Sequence, residues 1–164
     1  MEKAFTFMML KPLGLVEPVK TQILDMITRE STVVIRQRKV AEPRLIKEHY
    51  KNVKDTPHFH PITSYMSEKR VDLIIVEGEG PQDKFVERMR SLVGKSDPLE
   101  CKPGQIRHLA IEYNLSYVVS VDPVEGSNNY CRDNLIHCSD SPEAAKREVG
   151  IWFDDVNILK RYAK

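Results

Sequence analysis

Four short apolar runs alternate with helical segments in the order β-α-β-(α-α)-β-α-β-α, an order that predicts an α/β (α+β) fold of the ferredoxin-like βαββαβ sandwich type. Two split βαβ halves then build one four-stranded antiparallel sheet with helices surrounding it. The helical segments carry apolar residues at a spacing near 3.6, and the strand runs are bounded by Pro- and Gly-containing breaks.

Each element follows from local chemistry. Ala4 to Leu10 (AFTFMML) reads as a buried strand, broken by Lys11-Pro12-Leu13-Gly14. A helix follows from about Pro18, with Val19, Ile23, Met26 and Ile27 on one stripe and proline tolerated in the first turn. Ser31 to Val40 is a β-branched strand in which Val33, Ile35 and, at the same spacing, Gln37 share a face. Polar helical stretches run from Pro43 to Asn52 and near Ile62 to Met66, separated by the turn Lys54-Asp55-Thr56-Pro57. Val71 to Glu77 (VDLIIVE) is the third strand, ended by Gly78-Glu79-Gly80. Pro81 opens a helix with Phe85, Met89 and Leu92 in one stripe. After Gly94 the pattern becomes loop, with a strand-like patch at Ser116 to Val121 that fits either a packed hairpin or a subunit contact, and a turn-rich DPVEGSNN at 122 to 129. Asn134-Leu135-Ile136 is the fourth core strand, and the chain turns polar at His137. Ser141-Pro142-Glu143 starts the last helix with a hydroxyl N-cap and proline at the first helical position.

Bulk properties narrow the function classes. The 164 residues fit one domain spanning 1–164, large enough to bury a core without metal or disulfide staples. No apolar run approaches the ~20 residues of a membrane-spanning helix, and MEKAFTFMMLKP has no signal-peptide cleavage pattern, so a cytoplasmic protein is expected. Twenty-five basic against twenty-four acidic residues leave a net charge of +1, which provides no global field for nucleic acid or membrane surfaces. Any anion site must be local. Cys101, Cys131 and Cys138 form no CxxC pair and are read as reduced thiols. His58 and His60 lack partners at ligand spacing for a structural metal, and Lys69-Arg70 and Lys146-Arg147 read as solvated faces.

The last helix carries an anomaly. Positions 141, 144, 145, 148, 149 and 152 form its apolar stripe, yet position 148 is a glutamate. A buried, unpaired carboxylate costs several kcal/mol, on the order given for desolvated charges, so Glu148 needs a partner. His137 lies just before the same helix, and a strand-turn-helix hairpin folds the two together. Taken alone, such a pair is more often a satisfied polar contact; it also fixes one ring nitrogen as donor and leaves the other free as a nucleophile. Its company points to phosphate chemistry: Lys11 directly after a strand, Arg90 on the helix after the third strand, and Ser96 and Arg107 flanking GKSDPLECKPGQIR.

These residues resemble the nucleoside diphosphate kinase family. NLIHCSDSPEAAKREVGIWF is similar to its active-site signature, N-x-x-H-G-S-D-S followed by E and G-x-W-F, and the likeness continues through FMMLKPLG, IKEHYKNVKDTP, MRSLVGKSDP and CKPGQIR. The resemblance implies a ping-pong exchange in which ATP or another nucleoside triphosphate phosphorylates His137, which then charges a nucleoside diphosphate. Glu148 would orient the histidine and Ser139 assist it. Lys11, Arg90 and Arg107 would bind phosphates, with Tyr50 and Ser96 beside them and Asn134 on the ribose and phosphate edge. Mg²⁺ would be held mainly by nucleotide phosphates and water, without a protein cage. A homo-oligomer is implied, with a hexamer the expected count; no membrane and no specific nucleic acid partner is expected.

The departures are local. Leu13 stands where the family has aspartate in K-P-D-G, and Cys138 replaces the glycine after the histidine. The phenylalanine that stacks on the base falls at His58, with Phe59 beside it. An atypical insertion at about 109–133 separates Arg107 from His137 and leaves the second face of the base without a matching residue. Two other classes remain open alongside the kinase: a nucleotide-binding module without turnover, and a phosphohistidine relay to another protein. Labelled transfer from ATP to free diphosphates separates them.

Overall fold

The computed structural model describes residues 3–164. Its elements in chain order are β1 (Ala4–Leu10), α1 (Val19–Glu30), β2 (Thr32–Val40), α2 (Pro43–His49), α3 (Phe59–Met66), β3 (Arg70–Gly78), α4 (Gln82–Val93), α5 (Leu109–Glu112), β4 (Val118–Ser120), β5 (Tyr130–Arg132), β6 (Ile136–Cys138), α6 (Pro142–Trp152) and α7 (Val156–Tyr162). The main sheet runs in the order β2-β3-β1-β6, with every neighbouring pair antiparallel. That is the expected ferredoxin-like arrangement, with β6 as the fourth strand.

Alternation along the central strands sorts the core into two layers. Ala4, Met8 and Leu10 of β1 join Ile74 and Val76 of β3 on the face covered by α1 and α4. Phe5, Phe7 and Met9 join Val71, Leu73 and Ile75 on the other face, against α2, α3, α6 and α7. Both strands are covered on both sides, so their sequences are mostly apolar, with Thr6, Asp72 and Glu77 as the buried polar residues. The same two-residue period operates in β6: Ile136 and Cys138 pack into the first layer, so His137 points to the opposite face, beneath α6.

Four sequence expectations need correction. Val33 and Ile35 do not share a face: the β2–β3 register shifts between them, and Val33 packs into the first layer while Ile35 packs into the second. Helix α2 stops at His49, and a short 3₁₀ turn at Lys51–Val53 replaces its last turn. The fourth strand begins at Ile136, because Leu135 turns the chain at φ +75° and places His137 inside the strand. The chain also ends in a further helix, α7, capped by Asp155, whose side chain accepts from the Asn157 and Ile158 amides. The patch near Val118 is a hairpin: β4 and β5 pair through Val118↔Arg132 and Ser120↔Tyr130. Its connecting loop is bonded to the α3 side. The Asn128 amide donates to the Pro57 carbonyl at 3.0 Å, the Asn128 side chain donates to His58 Nδ1 at 3.2 Å, and His60 Nε2 donates to the Asp122 carbonyl at 2.9 Å. Among the described residues no helix is long and apolar enough to cross a membrane.

Candidate active site

The hydroxyl of Ser141 accepts from the Ala144 amide at 3.0 Å and Pro142 occupies the first turn, which sets the start of α6 and so the angle of its buried stripe. Glu148 on that stripe is 2% exposed. One carboxylate oxygen, Oε1, pairs with His137 Nε2; the other, Oε2, accepts the Ser139 hydroxyl at 2.8 Å. With Nε2 engaged, Nδ1 is the free ring nitrogen, and it has no hydrogen-bond partner among the described residues. Burial first, and then the charges of Lys11, Arg107 and Arg90, hold the His137 pKa well below the ordinary value. The ring is therefore neutral at pH 7, with a lone pair available on Nδ1.

His137 lines a cavity of about 540 Å³ together with Tyr50, Arg90, Ser96, Arg107 and Glu148. Arg107 reaches it from the 3₁₀ turn at Ile106–His108, with Nη1 on the Gly94 carbonyl and Nη2 on the Ile136 carbonyl, each at 2.9 Å. Its Nε is buried without a partner, as is the Tyr50 hydroxyl. Arg90 on α4 donates to the Cys138 carbonyl at 3.3 Å and is otherwise exposed. Behind this wall, Lys11 Nζ donates to Asn134 Oδ1 at 2.8 Å, and Asn134 Nδ2 donates to the Ser96 carbonyl at 2.8 Å. Burial and the neighbouring Arg107 lower the Lys11 pKa to about 8, against an opposing pull from Asp133. The thiol of Cys138 is pushed up to about 12 by burial, so it is neutral and no rival nucleophile. Cys138 has no left-handed backbone, and its Cβ is accommodated within β6.

The expected residues thus divide into three groups. His137, Glu148, Tyr50, Arg90, Ser96 and Arg107 line one cavity, and Lys11, Asn134 and Ser139 support it from behind. His58 and Phe59 are not among its lining residues; the loop after β4 holds the His58 ring, and Asn52 and Val53 line the wall nearest to it in sequence. Sequence reasoning missed three participants. His49, on the buried stripe of α2 with Leu45, fails the same polarity test that exposed Glu148. Arg147, read from the sequence as part of a solvated face, instead lines the cavity and holds the end of α2 against α6 by donating to the Glu48 and His49 carbonyls at 3.2 Å each. Asp133, fully buried, accepts the Leu13 and Leu135 amides and the Tyr65 hydroxyl at 3.0, 3.1 and 2.5 Å. A carboxylate absent at position 13 is therefore supplied to that backbone from position 133.

A cavity lined by a neutral, oriented imidazole and the three guanidinium groups of Arg90, Arg107 and Arg147, with an ammonium behind its wall, suits transfer of an anionic group. The comparisons with known proteins agree. The family model described as "Nucleoside diphosphate kinase" matches residues 4–158. A nucleoside diphosphate kinase of Streptomyces avermitilis is 30% identical over 90% of this chain and 94% of its own. Among solved structures, the Aquifex aeolicus enzyme superposes with a TM-score of 0.72 at 24% identity, over 94% of this chain and 98% of that one. The Borrelia burgdorferi enzyme, described as a transition state mimic with bound vanadate and ADP, superposes with a TM-score of 0.69 at 24% identity, over 93% of this chain and 88% of that one. The chain belongs to the nucleoside diphosphate kinase family, nucleotide-binding phosphotransferases that move a phosphoryl group between nucleotides.

Proposed function

We propose that His137 Nδ1 is the atom that carries the phosphoryl group in a ping-pong exchange. The lone pair on Nδ1 attacks the terminal phosphorus of a nucleoside triphosphate, an N–P bond forms as the P–O bond breaks, and the electron pair leaves on the diphosphate. The second half-reaction reverses these steps with a different diphosphate. The observation that carries this reading is the arrangement Ser139–Glu148–His137, which occupies Nε2 and leaves Nδ1 free at a cavity lined by Arg90 and Arg107. Glu148 stabilises the positive charge that the ring acquires on phosphorylation. Arg90, Arg107 and Lys11 neutralise the transferred oxygens, Tyr50 and Ser96 offer hydroxyl donors, and Asn134 orients Lys11. His58 and Phe59 are proposed to meet the base only beyond the mouth of this cavity.

Mg²⁺ fits as a companion of the nucleotide. Asp140 and Glu143 line the cavity without an ion-pair partner among the described residues, which suits a hard cation held by phosphate oxygens and water. When bound, Mg²⁺ neutralises phosphate charge. The three free cysteines support the cytoplasm as the compartment, and residues 109–133 are proposed to be an insertion into a single domain. Homo-oligomers, hexameric in the fullest form, are the proposed assembly.

The test is labelling with γ-labelled ATP. Wild type should form a phosphoenzyme that loses its label in acid and keeps it in alkali, as a phosphoramidate does. It should then pass the label to a panel of nucleoside diphosphates, and His137→Ala should take up none. Label retained in that variant, or an acid-stable label, moves the chemistry to another residue. A stable phosphoenzyme that refuses diphosphates makes the chain a relay.

A further inference from the structure

The His49 ring lies against both Trp152 and His137. The Trp152 indole N–H donates to His49 Nδ1 at 3.0 Å, and both side chains are buried. An indole nitrogen can only donate, so Nδ1 is the unprotonated nitrogen. The neutral ring therefore carries its hydrogen on Nε2, and burial, followed by the nearby His137, favours that neutral form. His49 Nε2 lies 3.8 Å from Glu148 Oε1, the same oxygen that pairs with His137. The two imidazoles meet edge-on, with centroids 4.4 Å apart and planes at 79°. Arg147 adds a backbone constraint by holding the His49 carbonyl.

We propose that His49 is a positioning residue for phosphotransfer, its tautomer fixed by Trp152 so that Nε2–H always faces Glu148 Oε1. This rests on His137 being the phosphorylated residue. At 3.8 Å the contact is a charge–dipole attraction rather than a hydrogen bond. Its effect is to restrain the carboxylate. Oε2 is held by Ser139, and Oε1 is held between two imidazole N–H groups, so Glu148 cannot rotate away as charge on His137 changes. No proton is transferred in this role.

The same three groups lie within 4.8 Å of one another, a spacing that also invites a transition metal. The tautomer argues against it. A metal on His49 needs the Nε2 lone pair, which would put a hydrogen on Nδ1 against the indole N–H, two donors facing each other.

Two substitutions separate positioning from support. His49→Asn keeps an acceptor at the Nδ1 position for Trp152 but offers nothing to Glu148. His49→Gln places an amide donor near Glu148 and leaves the indole unpaired. Stability and activity should therefore move in opposite directions. His49→Asn should melt close to wild type, bind ADP equally well and phosphorylate on the order of 10-fold more slowly at saturating ATP, the low end for partners that orient a histidine. His49→Gln should melt lower and keep most of the rate. Imidazole ¹⁵N NMR of the wild-type protein should report His49 as the Nε2–H tautomer, a reading independent of whether either variant folds. An Nδ1–H tautomer, rates that follow melting temperature in both variants, or stoichiometric Zn²⁺ binding lost in His49→Asn would each overturn the assignment. A wild-type chain that takes no label from ATP overturns the phosphohistidine underneath it. His49→Asn labelling at the wild-type rate, while His137→Ala takes no label, overturns His49 alone.

Discussion

Leu135 adopts φ +75°, a conformation that costs a branched L-residue about 1–2 kcal/mol, and it does so two residues before His137. Its side chain is fully buried, and the ~1.5–3 kcal/mol from burying a leucine offsets that strain. The turn aims the Leu135 carbonyl at the Lys11 amide, 2.9 Å away, which joins Lys11 to the strand of His137. Gly14 is required at the same place, since a Cβ there would overlap the Leu135 carbonyl oxygen. Lys11 yields a pH prediction. Its pKa of about 8 in the free protein means that it is charged below that value and neutral above it, while a phosphate ligand favours the charged form. ADP affinity should be full below about pH 7.5 and fall as pH rises through ~8, whereas Lys11→Met should bind weakly with no such fall. Calorimetric titration at several pH values checks this; a level wild-type affinity up to about pH 9 counts against it. Glu148 was legible because it sits on a stripe that should be apolar; His49 carries the same signal on α2, but the polar residues around it hid that stripe. Asp133 was not legible, because its three partners come from residues 13, 65 and 135, and no local pattern announces a contact across that much chain.

Among the elements, α6 was the most readable, since its cap, its proline and its stripe are all written within twelve residues. Its N-cap is also a point of leverage on the site. Ser141→Ala removes the acceptor of the Ala144 amide and should cost about 1 kcal/mol. For a chain of this size that is roughly a 2–4 °C drop in Tm, measurable by calorimetry, with a modest loss of phosphotransfer because Glu148 rides on the same helix. An unchanged Tm would mean that Pro142 and packing alone fix the helix start. Strand β2 was less legible. Alternation of Val33 and Ile35 reads as one face, and only the pairing with β3 reveals the bulge that sends them to opposite layers. The β4–β5 hairpin stayed ambiguous for a related reason: three-residue strands carry too little pattern to name their partner.

For the molecule as a whole, β2 is an outer strand paired on one side only, and Val34 and Val40 on it are 38% and 53% exposed. Leu99, in the 3₁₀ turn at Pro98–Glu100, is 72% exposed. An open strand with exposed valines is a template for pairing, which supports the proposed homo-oligomer. Analytical ultracentrifugation should find a multimer, a hexamer on the family's pattern, and a monomer at micromolar concentration would sink the proposal. One further feature concerns timing. The loop after β4 is bonded to residues 57, 58 and 60, directly beyond the turn that supplies Asn52 and Val53 to the cavity wall. That wall is therefore braced before any nucleotide arrives, and little ordering is left for the ligand to impose. We predict that the brace sets residence time. Removing its side-chain bonds with Asn128→Ala and His60→Ala together, at ~0.5–1.5 kcal/mol each, should speed ADP dissociation by about tenfold in stopped-flow while association changes little. If the dissociation rate stays the same, the wall keeps its shape without help, and the hairpin is only a neighbour; if it rises, a segment far from the reacting phosphorus governs how long each nucleotide stays.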